Sequence, residues 1–160
     1  MARIFTTQDG IAPEDLFQSA CDHLSAARLL ATTSPSHLDS AGYLAHIALE
    51  LSLKSWLLFL AGQFSSTHSL WVLYKELMQA HAAPELPPRL SDLLTIFDSY
   101  SELRYPNRNA PTEVGSEDIA QLEELFMHLY QFFPPNLYEA IYKLDPTKKG
   151  GRVLMKKKVE

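Results

Sequence analysis

The chain has 160 residues, enough for one domain of ordinary size, and 46% of them are hydrophobic against 21% charged, which excludes a largely disordered chain. Its net charge of −5 is unevenly distributed, because residues 148–160 carry six basic side chains against Glu160 and the first 147 residues therefore carry −10. A domain with this much negative charge is unlike a protein that binds nucleic acid over a broad surface.

The single cysteine, Cys21, bears on the cellular compartment. It cannot form an internal disulfide, and no CxxC pair is present to bind zinc, so a reducing, cytoplasmic setting fits best. The first 12 residues contain no apolar segment of the secretory type. Glu50 and Lys54 interrupt the most apolar stretch, from Ile47 to Ala61, so we expect a buried helix there and no membrane span.

The first half of the chain predicts two long helices. Apolar residues recur at a period of 3.6, and almost no segment alternates with a period of two. The first helix follows Pro13 and ends at residues 32–35, which are rich in turn-forming side chains. The second helix starts near Ser36 and runs to about Ala61, with Gly62 as its stop. Because apolar residues surround most of this second helix, we expect it at the centre of the fold.

The second half predicts three more helices. A polar loop over residues 63–67 leads to the third helix, and a proline-rich connection over residues 82–88 leads to the fourth. The fourth helix ends just before Pro106, since the residue before a proline disfavours helical dihedrals. Ser116 is a candidate N-cap for the fifth helix, which the Pro134–Pro135 pair ends.

Short connections between amphipathic helices predict an all-α, up-and-down antiparallel bundle of four to five helices. We assign residues 1–12 to an N-terminal extension and residues 13–145 to the bundle, including a short helix from about Asn136 to Leu144. Residues 146–160 are predicted to be a basic, flexible C-terminal tail.

Arg104 is the first candidate functional residue. By spacing it continues the apolar face of the fourth helix, which includes Leu94 and Phe97, at the last turn. A guanidinium cannot lose its charge, so such a position needs a carboxylate, helix-end carbonyls or a bound anion. Arg104 therefore either pairs with the helix end or a core acid such as Glu50, or it recognises phosphate.

His46, Glu50 and Lys54 form a second candidate group, since their spacing of four residues places them along one stripe of the second helix. One interpretation is a solvent-facing strip with a Glu-to-Lys pair. The other is that the stripe faces a cleft that Arg104 also lines. In that cleft Glu50 would orient Arg104 or a substrate hydroxyl, and His46 would move protons near neutral pH.

A metal site is not predicted. His23, His46 and His128 lie on three different predicted helices, but the Glu-x-x-His pattern of di-iron bundles is absent, and scattered histidines are usually unrelated. The short motifs of phosphate-binding loops, dinucleotide-binding folds, zinc proteases and serine hydrolases are also absent. We therefore expect neither a metal nor a cofactor.

Several of these residues together resemble the HEPN (higher eukaryotes and prokaryotes nucleotide-binding) domain family. The resemblance covers about residues 13–140. Its segments occur in this order along the chain: Tyr43 to Lys54 on the long helix, Gly62, His68-Ser69-Leu70, Leu73-Tyr74 and Leu103-Arg104-Tyr105-Pro106.

The resemblance implies a bundle of four to five helices that dimerises and associates with RNA or nucleotides. Many members of the family are metal-independent ribonucleases, often toxins paired with a nucleotidyltransferase-like antitoxin. Their signature is an arginine followed four to six residues later by a histidine. Paired across the dimer, these two residues assist the attack of a 2′-hydroxyl on the adjacent phosphate.

The present sequence departs from that signature. Arg104 matches the arginine, but no histidine follows it until His128, and Asn107 cannot replace a histidine because an amide does not titrate. We therefore predict a dimeric module that binds RNA, a nucleotide or a partner protein without the standard ribonuclease catalysis. Beside Arg104 and His46, the candidate binding residues are Glu50, Lys54, His68, Tyr105, Asn107 and Arg108.

Two alternatives remain open. The first is a degenerate metal-independent ribonuclease that uses Arg104 with His46 or His68 as the missing acid or base. The second is a purely structural helical adaptor, because two tryptophans and seven tyrosines could supply an apolar interface.

Overall fold

The structure is a computed structural model that describes residues 2–137 of the chain. Its main elements are α-helices, which confirms the predicted all-α bundle. The main helices of the described part are α1 (Pro13–Thr33), α2 (Leu38–Ala61), α3 (Leu70–Gln79), α4 (Pro88–Ser99) and α5 (Ser116–Tyr130). Shorter elements are the 3₁₀ turns Thr7–Asp9, Pro35–His37 and Tyr100–Arg104 and two strands, β1 (Ile4–Thr6) and β2 (Gln63–Ser65).

The predicted start of the first helix and the predicted end of the second agree with the structure, whereas α2 starts at Leu38, two residues after the predicted Ser36. Pro13 is the first residue of α1, where its missing N–H costs no hydrogen bond. Gly62 ends α2 in the left-handed conformation, with φ of 71°, and its N–H donates to the carbonyl of Leu58 at 3.0 Å. Helices α1 and α2 pack against each other more extensively than any other pair of described elements.

Helix α2 lies at the centre of the bundle, as predicted. It contacts α1, α3, α4, α5 and β2, and the ring of Trp56 is fully buried, 4.8 Å from that of Phe133. By length and composition the stretch Pro35–Ala61 is apolar enough to cross a membrane, but 67% of its most apolar 18-residue window is buried in the bundle. A core helix buried on several sides explains this composition.

The strands β1 and β2 were not predicted from the sequence. They pair antiparallel, with Phe5 opposite Phe64, and the two aromatic rings stack with their centroids 5.4 Å apart. Next to the pair, the Ser66 amide donates to the Arg3 carbonyl at 2.7 Å, and the Arg3 amide donates to Oγ of Ser66 at 3.0 Å. Residues assigned to the N-terminal extension therefore hold the segment that leads into α3.

Helix α4 is shorter than predicted. It ends at Ser99, and the chain continues as the 3₁₀ turn Tyr100–Arg104, which we call the arginine turn. The non-helical loop that follows packs Val114 against Gly42 on α2, where a Cβ atom would lie 2.7 Å from Cγ2 of Val114. The absence of a side chain at Gly42 therefore allows this close approach.

Differences of one to three residues occur at α5. Its N-cap is Gly115, with no side-chain cap, and Ser116 is the first helical residue, so the predicted cap is wrong by one position. Phe133 lies beyond the end of α5 but is still buried in the core. Residues 135–137 are helical, which agrees with the start of the helix predicted from Asn136 to Leu144. The rest of that predicted helix and the basic tail lie outside the described residues.

Candidate functional site

A recess opens between the middle of α2, the segment before α3 and the arginine turn. Its volume is about 220 Å³. Seven residues line the recess: Tyr43, His46, Glu50, His68, Ser101, Arg104 and Tyr105.

Glu50 is the centre of the polar network in the recess. Its side chain is almost completely buried, and Lys54 Nζ donates to its Oε1 at 2.6 Å. Nδ1 of His68 lies 3.1 Å from the same oxygen, Oε1, and 3.2 Å from Oε2. Nε2 of His46 lies 3.3 Å from Oε2. The interpretation of this stripe as a solvent-facing strip is therefore wrong, because His46, Glu50 and Lys54 are all buried.

The network holds Glu50 in its charged form. Burial is the largest single influence and raises the pKa of the carboxyl group, since it disfavours the charged form. The contacts with His46 and Lys54 and the positive charges of Lys54 and His68 together outweigh burial and lower the pKa of Glu50 to about 2. Glu50 is therefore a carboxylate at any physiological pH.

His46 forms part of the recess wall and joins α2 to the end of α4. It is only 1% exposed, and its Nδ1 lies 2.8 Å from the Phe97 carbonyl, so Nδ1 donates because a carbonyl can only accept. Its Nε2 faces Glu50 but is not oriented for a hydrogen bond, and no other described residue bonds to it. Both ring nitrogens therefore face protein groups and not open solvent.

His68 has a different environment. Its side chain is 54% exposed, and because its Nδ1 faces Glu50, Nε2 is the ring nitrogen left for a ligand. The start of α3 is held against α4, since Asp98 accepts hydrogen bonds from the Leu70 amide at 2.6 Å and from the Ser69 hydroxyl at 3.2 Å. This arrangement fixes the backbone next to His68.

Arg104 lies at the rim of the recess. Its Nε donates to the hydroxyl of Tyr43 at 3.0 Å, and its guanidinium carbon is 5.8 Å from the centre of the Tyr43 ring. The side chain is exposed, so the prediction that Arg104 continues the buried face of α4 is wrong. Arg104 does line the same recess as His46 and Glu50, as the cleft interpretation of the stripe predicted. The reason is the change from an α-helix to a 3₁₀ turn after Ser99, which rotates later side chains relative to the α-helical stripe. Neither Glu50 nor a helix end is the hydrogen-bond partner of Arg104.

The remaining candidate residues are distributed over three places. Tyr105 lines the recess, whereas Lys54 lies behind Glu50, with its Nζ 5.6 Å from the centre of the Phe64 ring. Asn107 lines a second cavity, of about 180 Å³, whose lining shares no residue with the recess. Arg108 is exposed and lines neither cavity.

The candidate site residues chosen from the sequence did not include two of the lining residues, Tyr43 and Ser101. Tyr43 precedes His46 by three positions and Glu50 by seven, so helical spacing alone places it on the same face of α2. That signal was available in the sequence. Ser101 belongs to the arginine turn, whose geometry was not predicted, so no local pattern indicated its place.

The three histidines considered for a metal site have separate surroundings. Nδ1 of His23 lies 2.6 Å from the Ser19 carbonyl, His46 bonds to α4 as described, and the ring of His128 packs against Phe132. Within residues 2–137, no three histidine, cysteine, aspartate or glutamate side chains are arranged to hold a metal ion.

Comparison with known proteins gives one family. A model of the HEPN domain matches residues 13–132, which is 120 of the 160 residues and includes every residue that lines the recess. Neither the curated proteins nor the solved structures gave a significant match. Because the family model covers three-quarters of the chain, the chain belongs to the HEPN domain family.

Proposed function

We propose that this HEPN module binds a nucleotide or RNA in the recess, with Arg104 contacting a phosphate, and that it lacks the Arg–His pair of the standard ribonucleases. The observation that carries the proposal is the partner of Arg104. That partner is the neutral hydroxyl of Tyr43, so the positive charge is not neutralised by a carboxylate at hydrogen-bond distance. Its other N–H groups remain available for the two-pronged contact that guanidinium makes with phosphate.

The charges behind Arg104 also support an anionic ligand. Glu50 would repel a phosphate if it were unpaired, but Lys54 lies 2.6 Å from it and His68 lies 3.1 Å from it. The carboxylate is therefore largely compensated, and the uncompensated charge at the rim is that of Arg104.

Ligand titration tests the proposal. We expect wild-type protein to bind AMP and a short single-stranded RNA, and Arg104→Ala to weaken both by roughly 10- to 150-fold, the range for a hydrogen bond to a charged group. Arg104→Lys should recover only part of the loss, because an ammonium is a point charge without the fork geometry. Arg108→Ala is the matched control, since Arg108 is exposed nearby but lies outside the recess. Equal effects of the two alanine variants would contradict the proposal.

A second candidate function is RNA cleavage, and the observation that favours it is the pair of His68 and Glu50. A carboxylate that orients a histidine through Nδ1 leaves Nε2 as a general base. His68 would take the proton of a 2′-hydroxyl, the 2′-oxygen would attack phosphorus, and the bond to the 5′-oxygen would break. The leaving 5′-oxygen would take a proton from water, which gives the 5′-hydroxyl end. Arg104 would stabilise the charge that develops on the phosphate.

The products of an RNA incubation separate the two functions. Cleavage through His68 would give 2′,3′-cyclic phosphate and 5′-hydroxyl ends, and His68→Ala and Arg104→Ala would both abolish them. His37→Gln is the control, because His37 lies before α2 and outside the recess. Intact RNA after incubation with wild-type protein would leave the binding module as the function.

The assembly is part of the same proposal. We propose a cytoplasmic homodimer in a toxin–antitoxin or defence-type context, with a nucleotidyltransferase-like antitoxin as the class of protein partner. Membership of the HEPN family supports this proposal. Sedimentation velocity should give twice the chain mass of 18.1 kDa, and a monomer at micromolar concentration would contradict the dimer. A dimer that binds no nucleotide or RNA would leave the structural adaptor instead.

A further inference from the structure

Tyr105 has the most exposed large hydrophobic side chain of residues 2–137, at 81%, and it follows Arg104 directly at the rim of the recess. Its backbone is held in place, because the Tyr105 amide donates to the Glu102 carbonyl at 3.1 Å and closes the arginine turn. Pro106 further restricts the backbone conformation of Tyr105. An aromatic ring is therefore presented to solvent from an ordered position beside the guanidinium.

The neighbouring side chains of Arg104 and Tyr105 match the two ends of a nucleotide. A guanidinium binds the phosphate, and an exposed aromatic ring offers a face on which a base can stack. We propose that Tyr105 is a stacking platform for a nucleobase whose phosphate Arg104 holds, so that the recess takes nucleoside monophosphates and single-stranded RNA. This inference rests on the function proposed above and specifies its ligand class.

Two features of the ligand follow from stacking. Every base has an aromatic face, so a platform that makes no hydrogen bonds to base edges tolerates all four bases. A base inside a duplex already stacks on its neighbours, so it is not available to Tyr105 unless it is unpaired or flipped out. The platform therefore favours single strands, loops and ends over double-stranded RNA.

The test compares AMP with ribose 5-phosphate, which has the same sugar and phosphate but no base. Stacking of one base on an aromatic side chain corresponds to roughly 5- to 150-fold in affinity, so wild-type protein should bind AMP more tightly by that factor. Tyr105→Ala should remove the difference and leave the affinity for ribose 5-phosphate unchanged. Tyr105→Trp should retain tight binding of AMP, because an indole ring also stacks.

Leu29→Ala is the matched control, since Leu29 is 62% exposed on α1 and lies outside the recess. A second readout is fluorescence. The added tryptophan of Tyr105→Trp should lose emission on addition of AMP, relative to the same titration of wild-type protein, but not on addition of ribose 5-phosphate. This measurement detects the stacked base itself and does not depend on comparing affinities.

The outcomes distinguish this inference from the function on which it rests. If wild-type protein binds ribose 5-phosphate as tightly as AMP, or if Tyr105→Ala weakens both equally, the platform is wrong while the phosphate site at Arg104 stands. If neither compound binds and single-stranded RNA does not bind either, both proposals fail.

Discussion

Only some of the contacts of Glu50 could be predicted from the sequence. The spacing of His46, Glu50 and Lys54 predicted that they share one stripe, and the structure confirms the contacts of Glu50 with both neighbours. The spacing could not decide between a buried and an exposed stripe, because α2 is apolar around most of its circumference and has no clear solvent face. The third partner of Glu50 is His68, which is 18 residues away in the sequence. Their contact depends on the tertiary fold, so helical spacing could not indicate it.

Because the pKa of Glu50 is low in the folded protein, the free energy of unfolding depends on pH in the acidic range. The pKa is about 2 in the folded protein and 4.5 in the unfolded chain, so between these values the unfolded chain binds more protons. We expect the free energy of unfolding to fall by roughly 3 kcal/mol as the pH decreases from about 4.5 to about 2. Urea denaturation at several pH values would measure this dependence.

The matched variants are Glu50→Gln and Glu123→Gln. Glu50→Gln leaves Lys54 buried without its counter-charge, so it should destabilise the protein at pH 7 by about 3 kcal/mol and remove most of this acid dependence. Glu123 is half exposed and pairs with Arg28 at the surface, so its substitution should change the stability by less than about 1 kcal/mol. An unchanged acid dependence in Glu50→Gln would show that other carboxylates are responsible.

At the scale of elements, the sequence predicted the helices well and the irregular segments poorly. Helices α1 to α3 could be predicted from apolar periodicity, and Pro13 and Gly62 marked the start of α1 and the end of α2. These signals depend only on the neighbouring sequence. The arginine turn and the pair of β1 and β2 do not have such signals. A three-residue strand is too short for a period of two to be recognised, and the change from α to 3₁₀ geometry after Ser99 depends on how the following loop packs.

Gly42 connects the packing of that loop to the arginine turn at the rim of the recess. In Gly42→Ala the new Cβ would lie 2.7 Å from Cγ2 of Val114 and 3.2 Å from Cδ1 of Leu103, the residue before Arg104. We expect a loss of roughly 1–2 kcal/mol in stability, because overpacking exceeds the gain in helix propensity, and weaker binding of AMP, because Leu103 must shift. Thermal unfolding and AMP titration would measure the two effects.

A second substitution provides the control for this prediction. Val114→Ala removes the methyl groups that the new Cβ would meet, so the double variant with Gly42→Ala should bind AMP more tightly than Gly42→Ala alone. If the single and double variants bind AMP equally, the contact between α2 and the loop does not position Arg104.

At the scale of the whole molecule, the charge distribution restricts how RNA can be bound. The first 147 residues carry −10 and the last 13 carry +5. If Arg104 makes the main phosphate contact, the logarithm of the affinity for single-stranded RNA should fall with the logarithm of salt concentration with a slope of about −0.7. Binding measured between about 50 mM and 200 mM salt would give this slope.

Substitutions in the basic tail test whether the tail, and not the recess, makes the RNA contact. The triple variant Lys156→Gln, Lys157→Gln and Lys158→Gln removes three positive charges from the tail. If the recess carries the binding, this variant should keep the slope of the wild-type protein. A slope steeper than about −3 in wild-type protein that the triple variant reduces would instead assign the RNA contact to the tail.

The pairing of β1 with β2 has a consequence for the order of events during synthesis. Ile4 can pair with Ser65 only after Ser65 has been synthesised. Pairing two three-residue strands that are so far apart in the sequence costs much loop-closure entropy for the few hydrogen bonds it forms. We expect α1 and α2 to pack first, as the chain leaves the ribosome, and the two strands to join later. Since β2 leads directly to His68, a newly made molecule would have α1 and α2 packed before the segment that carries His68 completes the recess.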